Sequence, residues 1–423
     1  MPQEISARLW QMWLRALDDG NQARVSELLQ EIRGTVPRFP EEEQGFETTW
    51  QWLTAHPGSV GVSLHNGGTF SLAVIFRVDE DGQRRTSVIG LKLGSPPMPL
   101  DGFVEEMSGD LPGADARLDH EAMCEWLRKK AIEPILELLD ETPSAVLWCP
   151  GPGLRTLAPS VLWPNLPVAT TASLSLPSLK NAPGRRASTL IFLADPGPDT
   201  AGGRFDLYGH GQPAAVTLAE HAKLRKQPVR MLASVGNQYG RSLYESEEYV
   251  RDTVAGAEHL LTEARNHEII VLIAHGIAET PGSAALLCVD ESGAIERLDV
   301  ARLQQEPQSF AGARVLLLSC ESGRVGDSLV EPGGVAGTLI AAGARWVVAP
   351  LWTVELDIAE QIGKKVLRGL AKGLNPWEVL QEQLPMNSES SPTMGRRPMP
   401  LAERAERRVA EQFQRRAFVT WVG

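Results

Sequence analysis

Two short turns hold the residue types best suited to covalent chemistry. The run EIIVLIAHG delivers His275 and Gly276 at the end of an apolar stretch, and RVLLLSCESG delivers Cys320 in the same way. A thiolate is a strong nucleophile, and an imidazole takes and returns a proton near neutral pH. If the two apolar runs are neighbouring strands, their ends lie ~4.8 Å apart, which lets both groups address one carbonyl. The thiolate would attack, and the imidazole would supply a proton to the leaving amine. Gly276 has no Cβ to obstruct a substrate backbone. Its N–H, with that of Cys320, is placed to bind the oxyanion of a tetrahedral intermediate. The competing reading is a structural histidine at a strand end and a buried core thiol. What favours chemistry is that both groups end consecutive long buried-strand patterns, each followed by a glycine-containing loop.

Rival chemistry finds little support. The other cysteines, Cys124, Cys149 and Cys288, form no CxxC pair, and four cysteines in 423 residues make no disulfide framework. His56, His65, His120, His210 and His221 have no partner visible in the sequence, and His259 and His267 lie in or just after a helix. No His/Cys pair is seen to converge in the first half. The segments PGPGL at 150–154 and EPGGVAG at 331–337 complete neither a dinucleotide nor a P-loop pattern. HExxH and GxSxG are absent, so neither a metal nor a cofactor is expected.

The elements that must position the pair follow from periodicity. From residue 188, short apolar runs recur as Thr189–Ala194, Val229–Ala233, Ile269–Ala274, Val315–Ser319 and Trp346–Leu351, with helical stretches at about 244–266, 334–342 and 356–371. Strands alternating with helices imply an α/β fold with a mainly parallel sheet, whose chemistry sits at the carboxyl ends of its strands. The preceding half reads as a second α/β lobe. Its strands are Val60–Leu64, Thr69–Val78, Ser87–Leu93 and Ala145–Cys149, the turn Asp79-Glu80-Asp81-Gly82 joins two of them, and a helix covers about 118–140. The first residues alternate as a helical hairpin, with Ile5, Leu9, Met12 and Trp13 on one face and Val25, Leu28, Leu29 and Ile32 on another. The expected division is a hairpin over 1–44, a first lobe over 45–185 and a second over 186–423.

The chain is 43% hydrophobic and 22% charged, as befits a globular protein, with a formal net charge of −12. Its pI of about 5.3 argues against nucleic-acid or anionic-membrane binding, which needs clustered Lys and Arg. A protein partner fits better. With no bilayer-length apolar run and no signal-peptide pattern at the start, a cytoplasmic location is expected.

The segments VLIAHG, LLLSCESGRVGD and GGVAGTLIAAGARWVVAPLWTVELD, closing on AFVTWVG, resemble the CHAT family, relatives of caspases and separase, over about residues 140–423. The resemblance implies that His275 and Cys320 are a catalytic dyad, with Gly276 the glycine beside the histidine. Trp352 matches the tryptophan opening the loop after the fifth strand. That loop usually continues with two adjacent acidic residues, where this chain has Glu355-Leu356-Asp357. A substrate pocket bordered by Trp352, Glu355 and Asp357 would favour a basic residue before the cut. The competing reading makes both acids solvated charges at a helix start.

The resemblance also implies two caspase-like lobes, the first a pseudo-protease lacking the dyad. Related bacterial proteases serve in antiviral defence or regulated cell death. They cleave a dedicated partner such as a gasdermin and are held inactive until a sensor engages them. The expected function is therefore a cysteine endopeptidase with a protein substrate and an activating partner. The alternatives are a catalytically silent scaffold or another thiol enzyme such as an acyltransferase. The loop Glu321–Gly333, with three glycines and a proline, is expected to be mobile and to form the pocket only on activation.

Overall fold

The computed structural model describes residues 47–66, 71–99, 103, 107, 111–151, 153–172, 185–196, 207, 211–235, 256–277, 284–290, 292, 294–324, 334–381 and 401–422. The expected hairpin over 1–44 lies outside them. So do residues 325–333, most of the loop expected to be mobile.

The strands are β1 Val60–Asn66, β2 Ser71–Val78, β3 Arg84–Leu91, β4 Val146–Pro150, β5 Val168–Thr170, β6 Arg186–Asp195, β7 Val229–Val235, β8 His267–Ile273, β9 Gly276–Ile277, β10 Ala285–Val289, β11 Ile295–Asp299, β12 Arg314–Leu318, β13 Trp346–Pro350 and β14 Phe418–Val422. The longer helices are α1 Glu47–Ala55, α2 Ala114–Leu127, α3 Gly211–Ala222, α4 Ala257–Ala264, α5 Val300–Gln305, α6 Gly334–Ala341, α7 Leu356–Ala371, α8 Pro376–Gln381 and α9 Leu401–Arg416.

Eleven strands make one sheet in the order β3-β2-β1-β4-β5-β14-β13-β12-β8-β6-β7. Seven of its ten pairings are parallel, the exceptions being β1/β2, β2/β3 and β13/β14. The central strands β8, β12 and β13 are nearly continuous runs of buried apolar residues, the pattern of strands covered on both faces. β3 lies at an edge and is largely exposed, and its two arginines, Arg84 and Arg85, discourage edge-to-edge pairing. Asp79 and Gly82 close the turn between β2 and β3, with Gly82 in the left-handed region at φ 76°.

The expected lobe boundary near residue 185 does not break the sheet. β14, from the last residues of the chain, pairs in parallel with β5, placing Thr420 opposite Ala169. One hydrophobic core runs through both halves. The second half orders its strands β7-β6-β8-β12-β13-β14, with the order reversing beside β6. Among the described residues of the first half, β1, β2 and β3 form an antiparallel meander, and β4 and β5 continue the sheet in parallel.

α7 buries Ile358, Ala359, Ile362, Gly363, Val366 and Leu367 along one stripe at helical spacing. At Gly363 a Cβ would stand 2.7 Å from Leu218 of α3, so the missing side chain sets how closely the two helices approach. β9, β10 and β11 form a small antiparallel sheet above the carboxyl ends of the parallel strands. Periodicity did not announce it, since β9 has two residues and β11 is mostly exposed.

Candidate active site

The two turns singled out by residue type are brought together. β8 and β12 are hydrogen-bonded parallel neighbours with Ile273 opposite Leu318, and His275 and Cys320 each follow two residues later. Beyond the strands the turns stay in contact. A Cβ built on Gly276 would lie 2.1 Å from the Cys320 carbonyl oxygen and 2.7 Å from Ser319 Oγ, so only glycine fits. The small sheet fixes the histidine backbone. Leu287 N–H donates to the His275 carbonyl at 3.0 Å, and Gly276 pairs with Leu286. β10 is tied in turn to β7, because buried Ser234 Oγ accepts from Val289 N–H at 2.7 Å and donates to its carbonyl at 3.0 Å. The His275 ring is half-buried, with Nε2 sealed from solvent.

The turn after Cys320 is tightly built. Glu321 adopts φ 56°, a left-handed conformation that costs a non-glycine residue about 1–3 kcal/mol and persists only where surroundings enforce it. Here Ser322 donates both its N–H and its hydroxyl to the Ser319 carbonyl. Gly323 N–H donates to the Pro350 carbonyl at 2.8 Å, and Ala336 N–H at the start of α6 donates to the Ser322 carbonyl at 3.0 Å. The Cys320 turn is therefore stitched to β13 on one side and to α6 on the other. The Glu321 side chain is buried beside the following loop, with Thr353 Oγ1 donating to Oε1 at 3.5 Å and Arg324 Nη1 3.7 Å from Oε2. Arg324 Nε donates to the Leu351 carbonyl at 3.0 Å, closing the connection between the two loops.

Cys320 is the only half-buried thiol of the four, and its Sγ donates to the Val354 carbonyl at 3.6 Å. Burial pushes its pKa up, hydrogen bonding at Val354 offsets part of the rise, the Glu321 carboxylate adds to it, and the Thr353 hydroxyl offsets a little more. Proton loss from Cys320 is thus deferred to higher pH than for an ordinary thiol, ~8.5. Site-resolved alkylation of the native protein should show Cys320 reacting slowly at neutral pH, with a rate still climbing where the denatured chain has levelled off. A native profile coinciding with the denatured one would contradict this resting geometry.

The three pocket candidates separate. Trp352 is 0% exposed, its ring stacked 4.8 Å from Phe413 and edge-on to His120 at 5.0 Å. It props the loop from beneath and offers no surface to a substrate in this conformation. Glu355 and Asp357 are exposed at the start of α7, Glu355 at its N-cap position and Asp357 in its first turn. Both stand where the helix dipole favours negative charge. The Glu355 backbone N–H donates to Gln414 Oε1 at 2.7 Å.

One pair escaped the sequence reading. His120 and Cys124, one turn apart on α2, bring Sγ to 3.6 Å from Nε2, so the first half does contain a converged His/Cys pair. The i,i+4 spacing within the expected helix was the signal that could have found it. Both side chains are fully enclosed, and His120 Nε2 accepts from Ala158 N–H at 3.2 Å. Burial lowers the His120 pKa to about 3, with Arg416 adding to the effect, and pushes the Cys124 thiol up. A neutral imidazole and an un-ionised thiol sealed from solvent make a structural contact and not a reactive pair. Cys149 and Cys288 are buried as well, and burial raises the Cys288 pKa to about 12. Among the described residues no cluster of side chains suits a metal ion.

Comparison with known proteins agrees with this architecture. The CHAT domain model matches residues 121–415. Two crystal structures of the Saccharomyces cerevisiae separase–securin complex are similar at 10% identity. One covers 89% of this chain and 30% of its own with a TM-score of 0.51, the other 93% and 32% with 0.50. The chain thus spans about a third of the separase chains it resembles. The complex of Porphyromonas gingivalis RgpB pro- and mature domains follows at 8% identity, covering 76% of this chain and 75% of its own, with a TM-score of 0.42. A search of the curated proteins finds no match. With a family model matched over more than half its length, on the segment that carries β8, β12 and both turns, the chain belongs to the CHAT domain family.

Proposed function

We propose that the chain is a cysteine endopeptidase in which Cys320 and His275 act as a dyad on a dedicated protein substrate. The observation that carries this is the meeting of the β8 and β12 ends, with Gly276 pressed against the Cys320 carbonyl. His275 takes the thiol proton, and the thiolate adds to the scissile carbonyl. The oxyanion is met by the N–H groups of Gly276 and Cys320. The imidazolium returns its proton to the leaving amine, and water then hydrolyses the thioester with His275 as base.

The resting geometry suits a protease that waits for a partner. A thiol whose pKa is raised by burial, with its Sγ turned to the Val354 carbonyl, is poorly armed until a rearrangement opens it to substrate. Glu355 and Asp357 stand exposed in that region, available to a basic residue before the cut. The setting in defence or regulated cell death, and a gasdermin-like substrate, rest on the family resemblance alone.

The test is to incubate the protein with candidate partners encoded beside it and to map new termini by mass spectrometry. Defined new termini that vanish on alkylation of Cys320 are expected. Stable association with a partner, without cleavage under any activating condition, would replace this reading with that of a scaffold. The mapped cuts also identify the preceding residue. Arg or Lys supports a role for Glu355 and Asp357, whereas Leu or Met leaves them as helix-start charges.

A further inference from the structure

Asp195 is the last residue of β6, and the sheet register ties it to the proposed dyad. Leu193 of β6 lies opposite Ile273 of β8, and Ile273 lies opposite Leu318 of β12. Two residues onward along each chain come Asp195, His275 and Cys320. Three neighbouring strands thus bring a carboxylate, an imidazole and a thiol to one level of the carboxyl edge, with the imidazole in the middle. Residues at one level of neighbouring strands share a face, and adjacent strands are ~4.8 Å apart. The ladder ends at Ile273 and Leu318, but the tight Gly276–Cys320 contact shows that those two chains remain together beyond it. On the other flank Asp195 is still held in the ladder, opposite Val235 of β7.

The carboxyl is also enclosed where it stands. Asp195 is 0% exposed, and Leu207 N–H donates to its Oδ1 at 3.3 Å. Enclosure and the hydrogen bond from Leu207 fix the position of this carboxyl at the end of its strand. One strand away, the proposed reaction creates a positive charge each time His275 takes the thiol proton.

We propose that Asp195 is a positioning residue for His275, holding one ring N–H so that the other nitrogen faces Cys320 and the imidazolium is stabilised. The proton moves from Sγ to the ring and onward to the leaving amine, while Asp195 stays ionised throughout. The role is that of a carboxylate that orients and supports the base without itself being protonated. It rests on the dyad reading.

The test separates the two. Nitrogen-15 spectra of the histidine rings in the full-length protein, with His275→Ala assigning the resonance, report the tautomer and titration of His275 without any substrate. In the native protein His275 should hold a single tautomer, and in Asp195→Asn it should mix tautomers and lose its proton about one pH unit or more earlier. On a validated substrate, Asp195→Asn should lower kcat ~10²-fold or more with little change in KM, and Asp195→Glu should recover part of it. If native and Asn proteins melt alike and His275 titrates identically in both, the proposal is overturned, whatever becomes of the protease reading. Should the Asn variant fail to fold, a native His275 that interconverts freely between tautomers is equally fatal. A native protein that shows the fixed tautomer yet cleaves nothing would instead fault the dyad's function and leave the proposed Asp195 role standing.

Discussion

Cys320→Ala and His275→Ala should each reduce cleavage of a validated protein substrate to background, a loss of ~10³-fold or more, while the protein melts within a few degrees of the parent. The size follows from nucleophile and base acting as a unit, so that losing either removes the shared step. The small effect on folding follows from position. Both residues lie beyond the last ladder pair of β8 and β12, outside the apolar runs that carry the sheet. The other thiols provide the contrast. Cys124, Cys149 and Cys288 are buried, so their replacement by Ala should cost about 1–3 kcal/mol of stability and leave the cleavage rate of the folded fraction intact. Full cleavage by Cys320→Ala would sink the dyad. Loss of rate in Cys124→Ala without loss of stability would mean that the enclosed His120/Cys124 contact does more than pack.

What the sequence disclosed and what it withheld divide along physical lines. Strands buried on both faces leave a strong signal, and β8, β12 and β13 were legible as EIIVLI, RVLLL and WVVAP for that reason. Because His275 and Cys320 follow the ends of two such strands, their placement was legible too, once the strands were neighbours. α7 was visible through its stripe of apolar residues from Ile358 to Leu367. Pairing between distant segments left no local signal. Nothing in FVTWV states that β14 will slot between β13 and β5 and fuse the two halves into one sheet. The short strands β9, β10 and β11, which hold the backbone of His275, are set by tertiary hydrogen bonds more than by pattern. Trp352 illustrates a further limit. A tryptophan in a loop beside a site reads as a pocket wall, and only three dimensions show it stacked on Phe413 of α9. Asp195 was passed over because it stood one residue beyond an apolar run whose level in the sheet could not be known.

Gly276→Ala should cost ~10²-fold or more in cleavage rate, the largest effect expected of any single added methyl group in the described structure. The reason is space, since Gly276 is not among the glycines with positive φ and its backbone conformation is open to alanine. The added Cβ would lie 2.1 Å from the Cys320 carbonyl oxygen and 2.7 Å from Ser319 Oγ. Real carbon–oxygen contacts need 3 Å or more, and the first of these atoms is backbone, which cannot swing aside. The two turns must therefore part by roughly an ångström, a misplacement that costs ~10²-fold when the groups displaced are the proposed base, nucleophile and oxyanion donors. Two other glycines separate this effect from general destabilisation. Gly369→Ala meets Val379 Cγ2 at 2.2 Å in the α7–α8 contact, so it should lower the melting temperature and spare the rate of the folded protein. Gly90→Ala in β3 meets nothing within 4 Å and should change neither. If Gly276→Ala loses stability as Gly369→Ala does but cleaves normally, the turns have room to part without consequence, and the oxyanion must be held by groups other than Gly276 and Cys320.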